Sequence, residues 1–414
     1  MNTSTASYPN ETTAHQQQIA QTDVAIVGAG IVGLTLACAL RHSGLSVTII
    51  ETQSQAGTAA RDRAYAFSLV SARIFQQLGV WDQVGPNITH YQRVRMSDSD
   101  HGQAVNFYPS DSPAEVVYYS AEHPVLIQAL QGLVPHIQCI TTYYETTVVD
   151  IQSTPTATEL TLERGDERQV LRARLLVGAD GARSQIRNYA GIQTAGWAYW
   201  QSCITTVLAP AKSHQNTAYE KFWPSGPFAI LPLPGNRCQV VWTAPHAEAQ
   251  AMVDLPEKAF MAELRRRYGD DMGDLKMLNP PMIFPVQLMQ SHHYVKPGLA
   301  LVGDAAHCCH PVGGQGLNMG IRDAAALATI LQTAHSRQES IADIQVLKRY
   351  ERWRRTENWL ILGMTDFLNR MFSNSILPLR WLRQSGFWVI EHTAPLKRML
   401  LRVMTGFFGR QPTI

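Results

Sequence analysis

Three glycines, Gly28, Gly30 and Gly33, stand in the order G-x-G-x-x-G, with Ala29 between the first two, and an acid, Glu51, follows. The acid sits roughly twenty positions on, the spacing of a dinucleotide site. The first glycine permits a tight turn, the second lets the backbone approach a pyrophosphate, and the third lets a helix pack closely on a strand. Phosphates then meet a helix N-terminus, where unpaired N–H groups and the helix dipole favour negative charge. Glu51 is placed to accept from a ribose hydroxyl. The plain alternative is a glycine turn in an empty α/β domain. This segment alone does not separate NAD from FAD.

Two later segments repeat the theme. Asp180-Gly181 follows the apolar run Leu175-Leu176-Val177, and Gly303-Asp304 follows Leu299-Ala300-Leu301-Val302. A glycine-rich loop from Pro311 to Gly320 comes next, with Gly314, Gly316, Leu317 and Asn318 within it. An Asp-Gly turn and a helix N-cap are the ordinary readings of Asp180 and Asp304. His307, Cys308, Cys309 and His310 share the composition of a metal cluster. They are consecutive, which is not the spacing of a zinc site, so no metal is expected.

The elements that must position these residues can be read around them. Val24-Ala25-Ile26-Val27 is a strand buried on both faces, the segment from Leu34 to His42 is a helix, and Ser46 to Ile50 is a second strand. Strand, glycine turn, helix and strand form a right-handed βαβ unit. Helices are expected over 68–80 and 124–134, and a hairpin over 159–171. Residues 196–290 alternate aromatic and β-branched runs with Pro and Gly, as in an antiparallel sheet, with one helix near 256–268. A long helix is expected near 317–334, and 341–409 reads as mostly helical.

Composition narrows the function. The 414 residues suggest two or three domains, and 45% hydrophobic against 16% charged residues allow a large core. Lys+Arg of 35 against Asp+Glu of 33 leaves a net charge of +2, so no nucleic-acid partner is expected. Six cysteines without a C-x-x-C pattern fit a reducing, cytoplasmic compartment. No apolar run reaches ~18 residues, so no membrane-spanning helix is expected.

Taken together, the fingerprint, the Asp180-Gly181 segment and the Gly303–Gly320 segment resemble the aromatic hydroxylases of the 4-hydroxybenzoate hydroxylase fold. Within them the chain is most similar to the ubiquinone-biosynthesis hydroxylases. Arg61 to Ser68, Phe222 to Leu233, and Tyr350 to Arg355 with Asn358 carry that narrower resemblance, which spans about residues 22–409. It implies an α/β fold: a Rossmann-like FAD-binding domain (22–95, 122–195, 291–335) interleaved with an antiparallel-sheet substrate domain (96–121, 196–290). A tail (1–21) and a C-terminal helical region (336–414) flank them.

The resemblance implies FAD held by Gly28, Ala29, Gly30, Gly33, Glu51, Arg63, Asp180, Gly181, Gly303, Asp304, Gly314, Gly316, Leu317 and Asn318. Arg63 as an ordinary surface arginine is the rival reading. Phe222 and Pro311 would line the substrate pocket, and no residue is marked as a catalytic acid or base. Where the group offers a polar or basic side chain near the flavin, this chain has Pro124. The implied reaction is hydroxylation of an aromatic ring of a polyprenylated quinone precursor by O2 through a flavin C4a-hydroperoxide. Electrons would come from NAD(P)H or a ferredoxin-type donor. An isoprenoid-chain reductase or epoxidase of the same fold is the alternative, as is a non-catalytic flavoprotein subunit of a quinone-synthesis complex. Finally, Leu396, Met399, Leu400, Val403 and Phe407 follow helical spacing, with Lys397, Arg398 and Arg402 on other faces. Such a helix either lies on a membrane as a peripheral anchor or packs on the core.

Overall fold

The computed structural model describes residues 19–98, 103–154, 156–270 and 272–414. Most of the tail and the loop at Pro155 therefore lie outside the described residues. Among the described residues the fold is mixed α/β, with three sheets and a helical C-terminal region.

Ala20–Val27 lies between Glu167–Gly178 and Val47–Ile50 and runs parallel to both. Ile140–Tyr143 extends the sheet beyond Val47–Ile50, and Leu299–Leu301 extends it beyond Glu167–Gly178. Numbered by chain position, these five parallel strands follow the order 3-2-1-4-5, that of a Rossmann sheet. In such sheets the ligand crevice opens outside the carboxyl ends of the strands, where the order reverses. Here that point falls between Val27 and Gly178, so Gly28 and Asp180 meet there. The hairpin is present, and its second arm continues without a break into the buried strand, as one element Glu167–Gly178. Leu69–Leu78 and His123–Leu133 stand where the hydrophobic spacing put them, whereas the fingerprint helix is Ile31–Ala39, three residues ahead of the expected Leu34–His42, because it starts directly at the glycine turn. Uniform burial explains the fingerprint helix, of which every residue but Val32 is buried.

The second sheet has nine strands. Its centre is the antiparallel run Thr194–Pro210, Arg237–Pro245, Gly226–Leu233 and Thr217–Trp223. Arg93–Asp98 joins the edge in parallel with Thr217–Trp223, and Ala104–Phe107 pairs with Arg93–Asp98. This long-range pairing brings a segment from the first quarter of the chain to the pocket wall. Glu257–Tyr268 is the expected helix of this region, and His246–Val253 is a second one. The short run Tyr119–Glu122 joins instead a three-stranded sheet with Ala64–Phe67 and Thr89–His90.

Three long helices close the structure: Gln315–Ser336, Ile344–Phe372 and Leu377–His392, followed by Ala394–Met404. A buried polar network joins the first two to the Rossmann sheet. Asp323 accepts from Arg354 Nε at 2.8 Å, Asn358 Nδ2 at 3.0 Å, the Gly303 amide at 3.2 Å and His307 Nε2 at 2.5 Å. Burial alone would push the Asp323 carboxyl up. His307 and Arg354 outweigh it and hold the group well below the usual carboxylate range. A carboxyl depressed in the folded state contributes stability at all pH values above its ordinary range, and loses it only in strong acid. Asp323→Asn removes the carboxylate that Arg354 Nε and His307 share and leaves Arg354 only the Glu357 carboxylate. It should lower unfolding free energy by about 3 kcal/mol, read by urea denaturation near neutral pH.

Candidate active site

One cavity of about 890 Å³ runs from the dinucleotide fingerprint to the C-terminal helices. Its near end is lined by Gly30, Ile31, Ala179, Gly181, Asp304 and the loop Gly313–Leu317. Its middle carries Tyr91, Tyr118, Glu220 and Gln315. Its far end is apolar, with Phe367, Leu368, Met371, Leu382, Phe387 and Ile390. Phe367 is 58% exposed and Leu382 57%, so that end opens at the surface.

The fingerprint glycines have separate jobs. Gly28 has φ +111°, and a Cβ there would lie 2.4 Å from the Ala179 carbonyl oxygen. A Cβ on Gly33 would lie 2.0 Å from the Gly28 oxygen, which is the close strand–helix packing expected of the third glycine. Gly30 differs: no protein atom lies within 4 Å of a Cβ built on it, and it faces the cavity. Glu51 stands at the end of the second strand and accepts from the amides of Ala29 (2.8 Å) and Gln53 (2.9 Å). A carboxylate has lone pairs beyond these two, so it can still receive a ribose hydroxyl.

The loop and helix behind the cavity are also prepared. Gly313 and Gly314 both take positive φ, and a Cβ on Gly314 would press to 2.6 Å on Ala66. The helix Gln315–Ser336 then begins without a side-chain cap. Its first amides face the cavity as a site of positive potential. Asp304 is exposed toward the cavity, and among the described residues nothing hydrogen-bonds its carboxylate. Loss of bulk water between the cavity walls pushes that carboxyl up, while His307 and Arg63 pull it down. Arg63 lines the same end, stacked over Phe284 at 5.0 Å and Tyr65 at 5.4 Å. Empty space at Gly30, uncapped amides at the loop and an unpartnered acid at Asp304 fit FAD: pyrophosphate, ring edge and hydroxyls in turn.

Other expected cofactor residues stand one layer back. Asp180 accepts from the Ile186 amide at 3.2 Å, its other oxygen is buried without a partner, and neighbouring Ala179 and Gly181 form the wall. Gly303 donates to Asp323 and turns the chain at φ +59°. Asn318 is fully buried and is a clamp rather than a wall residue. It donates to the Ala66 and Gly314 carbonyls and accepts from the Ser68 amide and Ser71 Oγ. Of the expected pocket residues, Pro311 lines the cavity. Phe222 lies behind the wall, stacked at 4.1 Å on Phe372, which does line it.

The histidines of the Cys-Cys segment are held by the core. His307 is paired with Asp323. His310 accepts from the Val312 amide, and burial pushes it down to about 3, so it is neutral. Three wall residues carried no signal in the sequence. His123, beside Pro124, donates to the Thr58 carbonyl and accepts from Tyr65 Oη at 3.1 Å; burial pushes it down, which keeps it neutral. It supplies a polar side chain where Pro124 does not. The others are Tyr118, buried just ahead of Tyr119–Glu122, and Glu220, half-buried on a strand whose pairing with Arg93–Asp98 links distant parts of the chain.

A family model described as an FAD binding domain matches residues 21–364. The chain belongs to that family. It is 37% identical over 387 residues to the ubiquinone hydroxylase UbiL of Rhodospirillum rubrum, covering 93% of this chain and 89% of that one. It is 35% identical over 391 residues to the 3-demethoxyubiquinol 3-hydroxylase of Escherichia coli, covering 93% and 98%. Among solved structures it is similar to p-nitrophenol 4-monooxygenase PnpA from Pseudomonas putida, with a TM-score of 0.81 and 19% identity over 95% of this chain and 100% of that one. The last likeness shows the fold. By family the chain is an FAD-dependent monooxygenase.

Two glycine substitutions separate folding from cofactor binding. Gly30→Ala meets no protein atom, so the melting temperature of the FAD-free protein should stay within about 2 °C of the parent. Its FAD affinity should drop at least tenfold, read by fluorescence titration, because the new methyl occupies the space left for the pyrophosphate. Gly28→Ala should lower both, because its methyl strikes the Ala179 carbonyl at a backbone angle that L side chains rarely adopt.

Proposed function

We propose that this protein hydroxylates the aromatic ring of a polyprenylated quinone precursor, with O2 as the oxygen source. One observation carries the reading: the FAD end and the surface are joined by a single cavity whose far half is apolar and opens among the C-terminal helices. A ring placed beside the glycine loop leaves an isoprenoid tail lying against Phe367, Leu368, Met371 and Phe387. FAD, when bound, supplies the redox chemistry that activates O2 and delivers one oxygen atom to the ring. The chain's own residues orient the ring, keep water out and manage the proton of the ring hydroxyl. The electron donor is NAD(P)H or a ferredoxin-type protein, and an assay with each identifies it.

The mouth also suggests where the substrate comes from. On the two helices that form it, Trp359 is 67% and Trp381 69% exposed, and Leu377, Phe367, Leu382 and Trp388 are exposed as well. Large exposed apolar patches mark interaction surfaces, and tryptophan favours the membrane–water boundary. The final amphipathic helix is not that patch. Leu400, Leu401 and Met404 line the cavity, and of the five spaced apolar positions only Met399 is exposed. Its apolar face packs inward, and the exposed apolar groups sit on the two helices before it. Among the described residues no helix is long and apolar enough to cross a membrane. We read the mouth as resting on a lipid surface, from which the tail slides inward.

Two measurements test this. Reaction under isotopically labelled O2 should place one labelled atom in the product and consume reductant with it. Saturation of the tail without O2 uptake would select the reductase instead, and bound FAD with no donor oxidation would leave only a non-catalytic role. The variant carrying Trp359→Glu and Trp381→Glu should keep its flavin absorbance and lose most of its co-sedimentation with lipid vesicles. Unchanged sedimentation would remove the membrane reading.

A further inference from the structure

The reaction proposed above needs a proton acceptor, and the cavity holds one group suited to it. Glu220 lies on Thr217–Trp223, opposite Met96 on one neighbouring strand and Ala229 on the other. Strand alternation puts Ala218, Glu220 and Phe222 on one face. That face packs into an apolar cluster with Tyr91, Val117, Tyr118, Val312 and Phe372. The Glu220 carboxyl is thus enclosed by aromatic and aliphatic groups, and its Oε1 is buried without a hydrogen-bond partner. Among the described residues no Lys, Arg or His forms an ion pair with it. The Gly313 amide alone favours its charged form, and Gly313 begins the loop that faces the cofactor space. Tyr91 Oη and Gln315 Oε1, in the same cavity, are also buried without partners. Three orphan polar atoms in one apolar cavity mark a place where a polar ligand atom completes the bonding.

We propose that Glu220 accepts the proton of the substrate's ring hydroxyl and returns it to the product. The inference rests on the reading of the substrate as a phenol. The carboxylate takes the proton, the electrons of the O–H bond stay on the ring oxygen, and a phenolate faces a neutral Glu220. Reprotonation of the product's ring oxygen restores the carboxylate. The environment matches the task. Burial pushes the Glu220 carboxyl up to about 8, much nearer a phenol's ~10 than an ordinary carboxylate's ~4.3. The neighbouring groups do not compete. Burial pushes Tyr91 and Tyr118 above their usual range and Cys203 up to about 12. Asp98, on the neighbouring strand Arg93–Asp98, is paired with Arg383.

The test uses the FAD-loaded protein and a 4-nitrophenol carrying a short isoprenoid tail, whose colour reports its own ionisation. At about pH 9 both the probe and Glu220 are ionised before binding, and an apolar cavity does not hold two adjacent negative charges. The parent protein should take up about one proton per bound probe while the phenolate colour persists, because the proton sits on Glu220. In Glu220→Gln, proton uptake and colour loss should match one for one, whichever form binds. Matching uptake and colour loss in the parent overturns the role of Glu220. A probe that binds neither protein, with the flavin absorbance intact, overturns the phenol reading and the proposal with it. If Glu220→Gln does not retain FAD, Glu220→Asp is the comparison. Its shorter carboxyl should give uptake in excess of colour loss over a pH range displaced from the parent's, and identical titration of the two overturns the proposal.

Discussion

A buried carboxylate at Asp323 is the constraint on which the site is organised. An ion of this kind, removed from water, carries a penalty of several kcal/mol unless close opposite charge and hydrogen bonds answer it. Here the answers come from separate places: His307 and the Gly303 amide beside the Rossmann strand, and Arg354 and Asn358 on the long C-terminal helix. None of these segments can shift without leaving a charge or a donor unpaired. Gly303–Asp304 and the glycine loop are therefore fixed relative to each other before any ligand arrives. Such a network contributes less to net stability than an apolar core of the same volume would. What it contributes is position, because only one arrangement of the three segments satisfies every member.

That fixed frame lets one cavity have two characters. At the cofactor end the walls are backbone: glycines at Gly30, Gly181 and Gly313–Gly316, and the uncapped start of a 22-residue helix. Backbone amides provide positive potential that needs no flexible cation and no reorganisation when negative charge develops nearby. At the mouth the walls are side chains of two helices, packed by burial alone. The nine-stranded sheet joins the two, because one face of its strand Thr217–Trp223 meets the loop through Glu220 and meets Phe372 and Phe387 through Phe222.

How much of this is legible in the sequence follows from the range of each constraint. The fingerprint, the Asp180 turn and the Gly303–Gly320 segment are legible because backbone geometry within a few residues demands glycine there. The Rossmann strands are legible because burial on both faces writes continuous apolar runs. Glu220 is not legible. A lone Glu in an aromatic strand reads as solvent-facing, and its burial exists only because Arg93–Asp98, more than a hundred positions earlier, covers the sheet edge. Asn318 and Phe222 show the converse: resemblance picks out residues that matter to the site without telling wall from foundation. The final helix was undecidable for a third reason. Amphipathic spacing is the same whether the apolar face meets lipid or protein, and only the packing of Leu400, Leu401 and Met404 separates the two.

The apolar wall and the perturbed acid have one physical cause. A cavity that accepts an isoprenoid tail must be lined by groups that do not solvate charge. The same lining withdraws solvation from any carboxylate within it and so favours the neutral form. In a wetter cavity, Glu220 would return toward ordinary acidity and be too weak a base for a phenol, while the tail would lose the surface it lies against. Tail recognition and proton transfer are therefore not separate features of the proposed enzyme. Both follow from keeping water out of the space between the glycine loop and the C-terminal helices, and the bulky ligand that fills this space is itself what keeps the water out.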